Sequence, residues 1–377
     1  MKWQRVSRGR GSLKTLPELM EKLQIAHPLI VCGRHSGAML MRRVPAMTQF
    51  PVFSDYHANP DLNDATEAAA LFRREGCDGL ISVGGGSAMD TAKAVKAMLA
   101  SGNDETQVIQ NIYPETMPVP HIAVPTTAGT GAETTQFAVV YRNGNKLSLN
   151  HPDLRPDGAL LDSTLLETLP DYHRKSCAMD ALAQGIESYW SKAATEDSRV
   201  HAYLAILGVL DNLKSYLAGD AHAADEMLEA AYQSGRAIQI TRTTAAHAMS
   251  YRLTKTMGIS HGHAVMMTLP ALWDLMWEKK EMQDVLQNLS SIMRLGHPLM
   301  VSRLLRGMMA DLGLNAPPMP DQETLTELAR SVNPERMGNH PVPMTEKDIL
   351  DVYRMSFIPL MDPERQACLD IWKYYHG

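Results

Sequence analysis

Gly79-Leu80-Ile81-Ser82-Val83-Gly84-Gly85-Gly86-Ser87-Ala88-Met89-Asp90-Thr91-Ala92-Lys93 opens as a short apolar run, meets three consecutive glycines, and continues in a small-residue helical pattern. A buried strand that turns sharply into a helix has this form. Glycine has no β-carbon, so the turn can take positive φ and a phosphate can come close to the backbone. A helix beginning after Ser87 would then present unpaired N–H groups and positive potential to that phosphate. The spacing departs from GxGxxG, because Met89 stands where the third glycine belongs. Read alone, the run is as much a tight structural turn as a phosphate cradle, and the rest of the chain decides.

Outward from this stretch, residues 16–25 carry helical periodicity, 27–33 and 51–53 read as strands, and a helix is expected at about 64–75. The alternation αβαβαβα indicates a doubly wound, mainly parallel sheet whose ligands sit beyond the carboxyl ends of the strands. Three loops follow such ends: Gly33-Arg34-His35-Ser36, Gly84-Gly85-Gly86-Ser87, and Pro125-Thr126-Thr127-Ala128-Gly129-Thr130-Gly131. The third is dense in hydroxyls and glycines, which suits a ribose or phosphate and equally an ordinary turn. Residues 137–141 and 146–149 flank Asn143-Gly144, a hairpin signal. From about residue 170 the pattern is almost wholly helical, with segments near 171–190, 197–216, 222–238, 240–254, 261–280, 283–294, 298–312, 321–331 and 346–357. An α/β domain over 1–165 and an all-α helical-bundle domain over 166–377 are therefore expected.

A chain of 377 residues with 45% apolar and 21% charged residues has ordinary globular composition. Its net charge of −6 argues against a nucleic-acid footprint and gives no sign of a membrane patch. Cys32, Cys77, Cys177 and Cys368 form no CxxC pair, so neither a disulfide framework nor a zinc knot is suggested. The first residues lack a signal-peptide core and no run approaches membrane-spanning length, so a soluble cytoplasmic protein is expected.

The chemistry-bearing residues of the helical half fall in three segments. In Cys177-Ala178-Met179-Asp180-Ala181-Leu182-Ala183-Gln184, Asp180 and Gln184 share a helix face that Glu187 continues. Thr243-Thr244-Ala245-Ala246-His247-Ala248-Met249-Ser250-Tyr251 is read as one helix, with Thr243, Thr244 and Tyr251 on the side of His247. His261-Gly262-His263-Ala264 opens a further helix after the Gly258-Ile259-Ser260 break. An Asp and two His from three helices would make a 2-His-1-carboxylate metal site with open positions.

The ordered set of Gly84-Gly85-Gly86-Ser87 with Asp90, Pro125 to Gly131, Asp180, His247 and His261-Gly262 resembles the iron-containing (group III) alcohol dehydrogenase family. The resemblance runs from the first strand to at least Pro270 and implies a dinucleotide-binding domain, a helical domain, and an active site in the cleft between them. It implies that Gly84, Gly85, Gly86 and Ser87 hold the pyrophosphate, with Asp90 of the same motif also among the cofactor-binding residues. Thr126, Thr127 and Thr130 would line the cofactor cleft, with Lys146 near the nicotinamide ribose. Asp180, His247 and His261 would hold iron(II), zinc or another divalent ion. Where the family commonly has a second ligand histidine this chain has Gln184, whose carboxamide oxygen is a weaker candidate ligand. Where it often has a further histidine stands Tyr251, expected as proton relay with His263 as fallback. Gly33-Arg34 replaces the acidic residue of NAD-preferring members, so NADP(H) is expected beside NAD(H). The segments around Gln184 and Thr243 are similar to the family's phosphonoacetaldehyde reductase branch, which implies a small anionic aldehyde whose phosphonate meets Thr243 and Thr244. Sulfoacetaldehyde, lactaldehyde or glycerol-type substrates, a dehydroquinate-synthase-like lyase and an inactive binding protein are the alternatives. A homodimer is expected.

Overall fold

The computed structural model describes residues 4–375, the side chains of residues 335 and 336 excepted. It falls into two compact units, one ending at Leu169 and the other beginning at Pro170.

The first unit holds β1 (Arg5–Arg8), α1 (Leu16–Lys22), β2 (Pro28–Cys32), α2 (Arg34–Arg43), β3 (Val52–Phe53), α3 (Leu62–Arg74), β4 (Gly79–Gly84), α4 (Gly86–Ala100), α5 (Glu105–Ile109), β5 (His121–Pro125), β6 (Phe137–Arg142), β7 (Asn145–Asn150) and β8 (Gly158–Leu161). Six strands form one sheet in the order β1-β8-β5-β4-β2-β3, and every pairing in it is parallel. Strands buried on both faces read as continuous apolar runs. In β2, Leu29 and Val31 join the core under α3 and α4, whereas Ile30 and Cys32 join the core under α1 and α2. With β3 on one side of β2 and β4 on the other, the order reverses between β2 and β4. Their carboxyl ends, Gly33 and Gly84, flank that switch point. The two remaining strands are the expected hairpin, with Asn143 and Gly144 at φ 52° and 76° at its tip.

The second unit is helical: α6 (Asp171–Trp190), α7 (Glu196–Leu217), α8 (Ala221–Thr241), α9 (Ala245–Met257), α10 (His261–Trp277), α11 (Gln283–Ile292), α12 (Pro298–Leu312), α13 (Gln322–Arg330), α14 (Pro334–Met337), α15 (Glu346–Phe357) and α16 (Asp362–Tyr375). Among the described residues no helix is long and apolar enough to cross a membrane.

One expected helix is broken. The segment read as helical over 240–254 is interrupted at Arg242-Thr243-Thr244, so α8 ends at Thr241 and α9 begins at Ala245. Arg242 sits at φ 62°, a conformation costing a non-glycine residue about 1–3 kcal/mol. Asn339 holds the break: its Nδ2 donates to the carbonyls of Thr241 at 2.5 Å and Thr243 at 3.1 Å. Thr243 and Thr244 are therefore pre-helical, and His247 lies in the first turn of α9.

Candidate metal centre and dinucleotide loops

One face of α6 organises the centre through Ser176, Asp180, Gln184 and Glu187, spaced so that each lies one turn from the next. The starts of α9 and α10, which carry the two histidines, dock against this face. At α10, the N–H of His263 donates to Ser176 Oγ at 3.1 Å. Gly262 permits the approach, since a β-carbon there would lie 2.0 Å from the Ser176 carbonyl oxygen. At α9, the N–H of Ala246 donates to Glu187 Oε1 at 2.8 Å. Both contacts satisfy helix-start donors that have no partner inside their own helix.

The result is a triangle of Asp180, His247 and His261, with one ligand atom from each lying within 4.8 Å of the others. His247 Nε2 is 3.2 Å from Asp180 Oδ1, and His261 Nε2 is 3.9 Å from the same oxygen. Asp180 and His247 are buried, while His261 is about a third exposed, with 36% of its side chain accessible. The second nitrogen of each imidazole is occupied. Glu187 can only accept, so His247 Nδ1–H donates to it. Ser250 Oγ donates to the His247 carbonyl at 2.8 Å and stands 3.2 Å from His261 Nδ1. Each histidine therefore turns Nε2 toward the triangle. Burial pushes the Asp180 carboxyl up, but His247, His261 and the Gln184 amide outweigh it and leave the group below the usual carboxylate range. Burial opposes the charge on His247, yet Glu187 and Asp180 lift it to about 9. One carboxylate and two imidazoles of fixed orientation fit a divalent transition metal.

In the first unit, the glycine run and the threonine loop lie side by side on adjacent strands, with the Thr126 N–H donating to the Gly84 carbonyl at 2.9 Å. A β-carbon at Gly84 would lie 2.7 Å from Ala88 Cβ. At Gly85 it would meet Thr127 Cγ2 at 3.3 Å, and at Gly86 Thr130 Cγ2 at 3.2 Å. α4 starts at Gly86. Tyr56 stands at the switch point, its hydroxyl 3.5 Å from where a Gly33 β-carbon would lie and 3.7 Å from that of Gly84. Exposed Arg34 opens α2 beside it and has no side-chain partner among the described residues.

Two family descriptions match in tandem: residues 4–163 fit iron-containing alcohol dehydrogenase, and residues 175–357 fit the C-terminal part of the Fe-containing alcohol dehydrogenase family. The chain belongs to the iron-containing alcohol dehydrogenase family. This family binds iron or another divalent metal and NAD(P), and the triangle is this member's candidate metal position. A phosphonoacetaldehyde reductase of Streptomyces viridochromogenes is 37% identical over 57% of this chain and 58% of its own length. A probable alcohol dehydrogenase of Escherichia coli is 37% identical over 57% of this chain and 55% of its own. The matched part thus spans little more than half of these curated relatives. An iron-containing alcohol dehydrogenase from Thermotoga maritima superposes with a TM-score of 0.82 at 26% identity, covering 95% of this chain and 99% of that one. A sulfoacetaldehyde reductase from Bifidobacterium kashiwanohense, solved with NAD+, shares the fold with a TM-score of 0.85 at 24% identity, over 95% and 98% of the two chains.

Against the family pattern, several expected residues take other places here. Gln184 Oε1 accepts from Ser234 Oγ at 2.8 Å, and its amide bonds Asp180, so it braces a ligand in place of adding an oxygen to the triangle. Thr244 is not open to a substrate: its hydroxyl donates to Glu187 at 2.6 Å and accepts from Trp190 Nε1 at 3.0 Å. Thr243 stays half-exposed. Tyr251 stacks on His261, with ring centroids 5.5 Å apart. His263 instead bonds the Tyr172 hydroxyl at 3.1 Å and faces the Leu314 and Asn315 backbone. Asp90 accepts the Val139 N–H at 3.0 Å and faces Lys93 and Lys146, tying α4 to the hairpin. Ser87 Oγ donates to the Ala58 carbonyl. None of the three glycines has positive φ, so close approach of neighbours, not backbone handedness, demands them. Ser176, Glu187, Gly262 and Asn339 hold these helix starts in place. From the sequence, Glu187 is placed only on the face of Asp180 and Gly262 only in the motif after His261, and Ser176 and Asn339 are not singled out.

Proposed function

We propose that this chain reduces a small anionic aldehyde to its alcohol, using NAD(P)H and a divalent metal held by Asp180, His247 and His261. The observation that carries the reading is the convergence of those three side chains within 4.8 Å. The bound metal would supply a Lewis acid for a carbonyl oxygen, and the nicotinamide the hydride. The chain's own residues orient and hold: Glu187 and Ser250 fix the imidazoles, and Gln184 steadies Asp180. Tyr251, flat against His261, is the residue we assign to proton delivery. The glycine and threonine loops of the first unit are assigned to the dinucleotide. We place the enzyme as a homodimer in the cytoplasm.

Phosphonoacetaldehyde, going to 2-hydroxyethylphosphonate, is the leading substrate, supported by the 37% identical reductase. The equally identical probable alcohol dehydrogenase supports, as second reading, another small aldehyde or polyol, neutral or differently charged. Purified protein is stripped with chelator, reloaded with iron(II) or zinc, and assayed with NADPH and NADH against phosphonoacetaldehyde, sulfoacetaldehyde, lactaldehyde and acetaldehyde. The reading expects metal-dependent turnover with a marked preference for phosphonate. Full activity without metal, or in His247→Ala, would remove the triangle from the reaction. A preference for acetaldehyde would move the substrate to the neutral class.

A further inference from the structure

We infer that Glu187 is the positioning residue that makes His247 a metal ligand, through a carboxylate hub that fixes the imidazole tautomer and the start of α9 together. Glu187 is fully buried, and its oxygens take three hydrogen bonds from one short segment. Oε1 accepts from Thr244 Oγ1 at 2.6 Å and from the Ala246 N–H at 2.8 Å. Oε2 accepts from His247 Nδ1.

Each bond has a separate consequence. The bond to Nδ1 leaves the other nitrogen, Nε2, to face Asp180, because a carboxylate can only accept. The bond to Ala246 satisfies an unpaired donor at the helix start, one residue before the ligand. The bond to Thr244 anchors the chain two residues after the strained Arg242. Trp190 Nε1 donates to the same threonine hydroxyl, which leaves its proton for Glu187. Glu187 and Asp180 lie on the same face of α6, so one helix carries both a ligand and the group that aims its partner.

A glutamine at 187 cannot replace this hub. Its amide nitrogen must face either the Ala246 N–H or His247 Nδ1, and both positions need an acceptor. Facing Nδ1, it would make that nitrogen an acceptor, so the neutral ring would keep its proton on Nε2, whereas beside a carboxylate the neutral ring keeps it on Nδ1 and frees Nε2.

The inference rests on the metal reading, and the test separates the two. Metal affinity of stripped wild type, E187Q, E187D and T244V is measured by competition with a chromogenic chelator, using zinc as probe. Histidine Nδ1–H signals are recorded by NMR on 15N-histidine-labelled protein. Dinucleotide binding and thermal unfolding report folding. We expect E187Q to bind zinc roughly 10- to 100-fold more weakly and to lose the downfield His247 Nδ1–H signal. E187D should recover part of both, and T244V should show a smaller loss of affinity in the same direction. Wild-type affinity in E187Q, or an Nδ1–H signal that survives there, overturns the inference. If E187Q does not fold, T244V decides: an unchanged zinc affinity in it overturns the inference. A wild type that binds no zinc would instead sink the metal reading itself.

Discussion

Gly262 and Ser176 meet where α10 crosses α6, so tightly that a β-carbon on Gly262 would lie 2.0 Å from the Ser176 carbonyl oxygen and 2.8 Å from Asp180 Cβ. Neither obstacle is the flexible end of a side chain, so alanine at 262 must push the two backbones apart. His261 directly precedes this glycine and would move away from Asp180 with it. Gly262→Ala should lose about 1–3 kcal/mol of stability and much of its bound metal. Thermal unfolding and elemental analysis check this, and a stable variant with full metal content would contradict it.

Without metal, a proton shared by His247 Nε2 and Asp180 stands in the position a metal would take. His247 holds it up to about pH 9, since Glu187 and Asp180 together overcome the burial that opposes the charge. Metal uptake must therefore expel it, which ties affinity to pH. Between roughly pH 6.5 and 9, zinc affinity should strengthen about tenfold per pH unit, and mixing in weak buffer should release a proton. Chelator competition at several pH values measures the slope. A flat profile would mean that His247 is already neutral.

Much of this was legible in the sequence because local and global signals agree there. The short apolar runs of β2, β4 and β5, each followed by a loop rich in glycine or hydroxyls, read as buried strands, and Asn143-Gly144 signals a tight hairpin. Strand β1 escaped because Arg5-Val6-Ser7-Arg8 is a half-exposed edge and lacks an apolar face. The break at Arg242 escaped for the opposite reason. Helical periodicity runs through it, and only the distant Asn339 shows that the backbone turns there. The three ligand candidates were readable from residue type and family resemblance. Their supports were not, since Glu187 acts on His247 sixty positions away in sequence. Thr244 shows the same limit, because a hydroxyl beside a ligand histidine looks available until its partners are known.

Arg34 offers a test of cofactor choice. It is exposed at the first position of α2, beyond the carboxyl end of β2 and beside the switch point, with no side-chain partner among the described residues. A free guanidinium there suits a 2′-phosphate, whereas an acidic residue would repel it and bind ribose hydroxyls. Arg34→Asp should weaken NADPH far more than NADH, shifting the ratio of their kcat/KM values by roughly 10-fold or more. Equal losses for the two cofactors would show that Arg34 does not read the phosphate.

His340 should set part of the protein's acid sensitivity. Its ring is fully buried against Trp190 and beside Glu187, and neither nitrogen has a hydrogen-bond partner among the described residues. Burial pushes it down to about 4, with Glu187 opposing the shift and Lys192 adding to it. A histidine held below its ordinary value binds fewer protons when folded than when unfolded. Its contribution is therefore complete above about pH 6.5 and is lost as pH falls toward 4, a change of about 3 kcal/mol. Leucine at 340 has no proton to gain and leaves no polar atom unpaired. His340→Leu should therefore flatten the loss of stability between pH 6.5 and 4. Urea unfolding of metal-free protein checks this by fluorescence, since Trp190, Trp273, Trp277 and Trp372 all lie in the second unit. His121, driven to about 3 by burial and by Lys96, adds an acid-side slope of its own in the first unit. The comparison is therefore the difference between variant and wild type at each pH. If the two curves stay parallel down to pH 4, His340 is protonated in the folded state and Glu187 has become its partner.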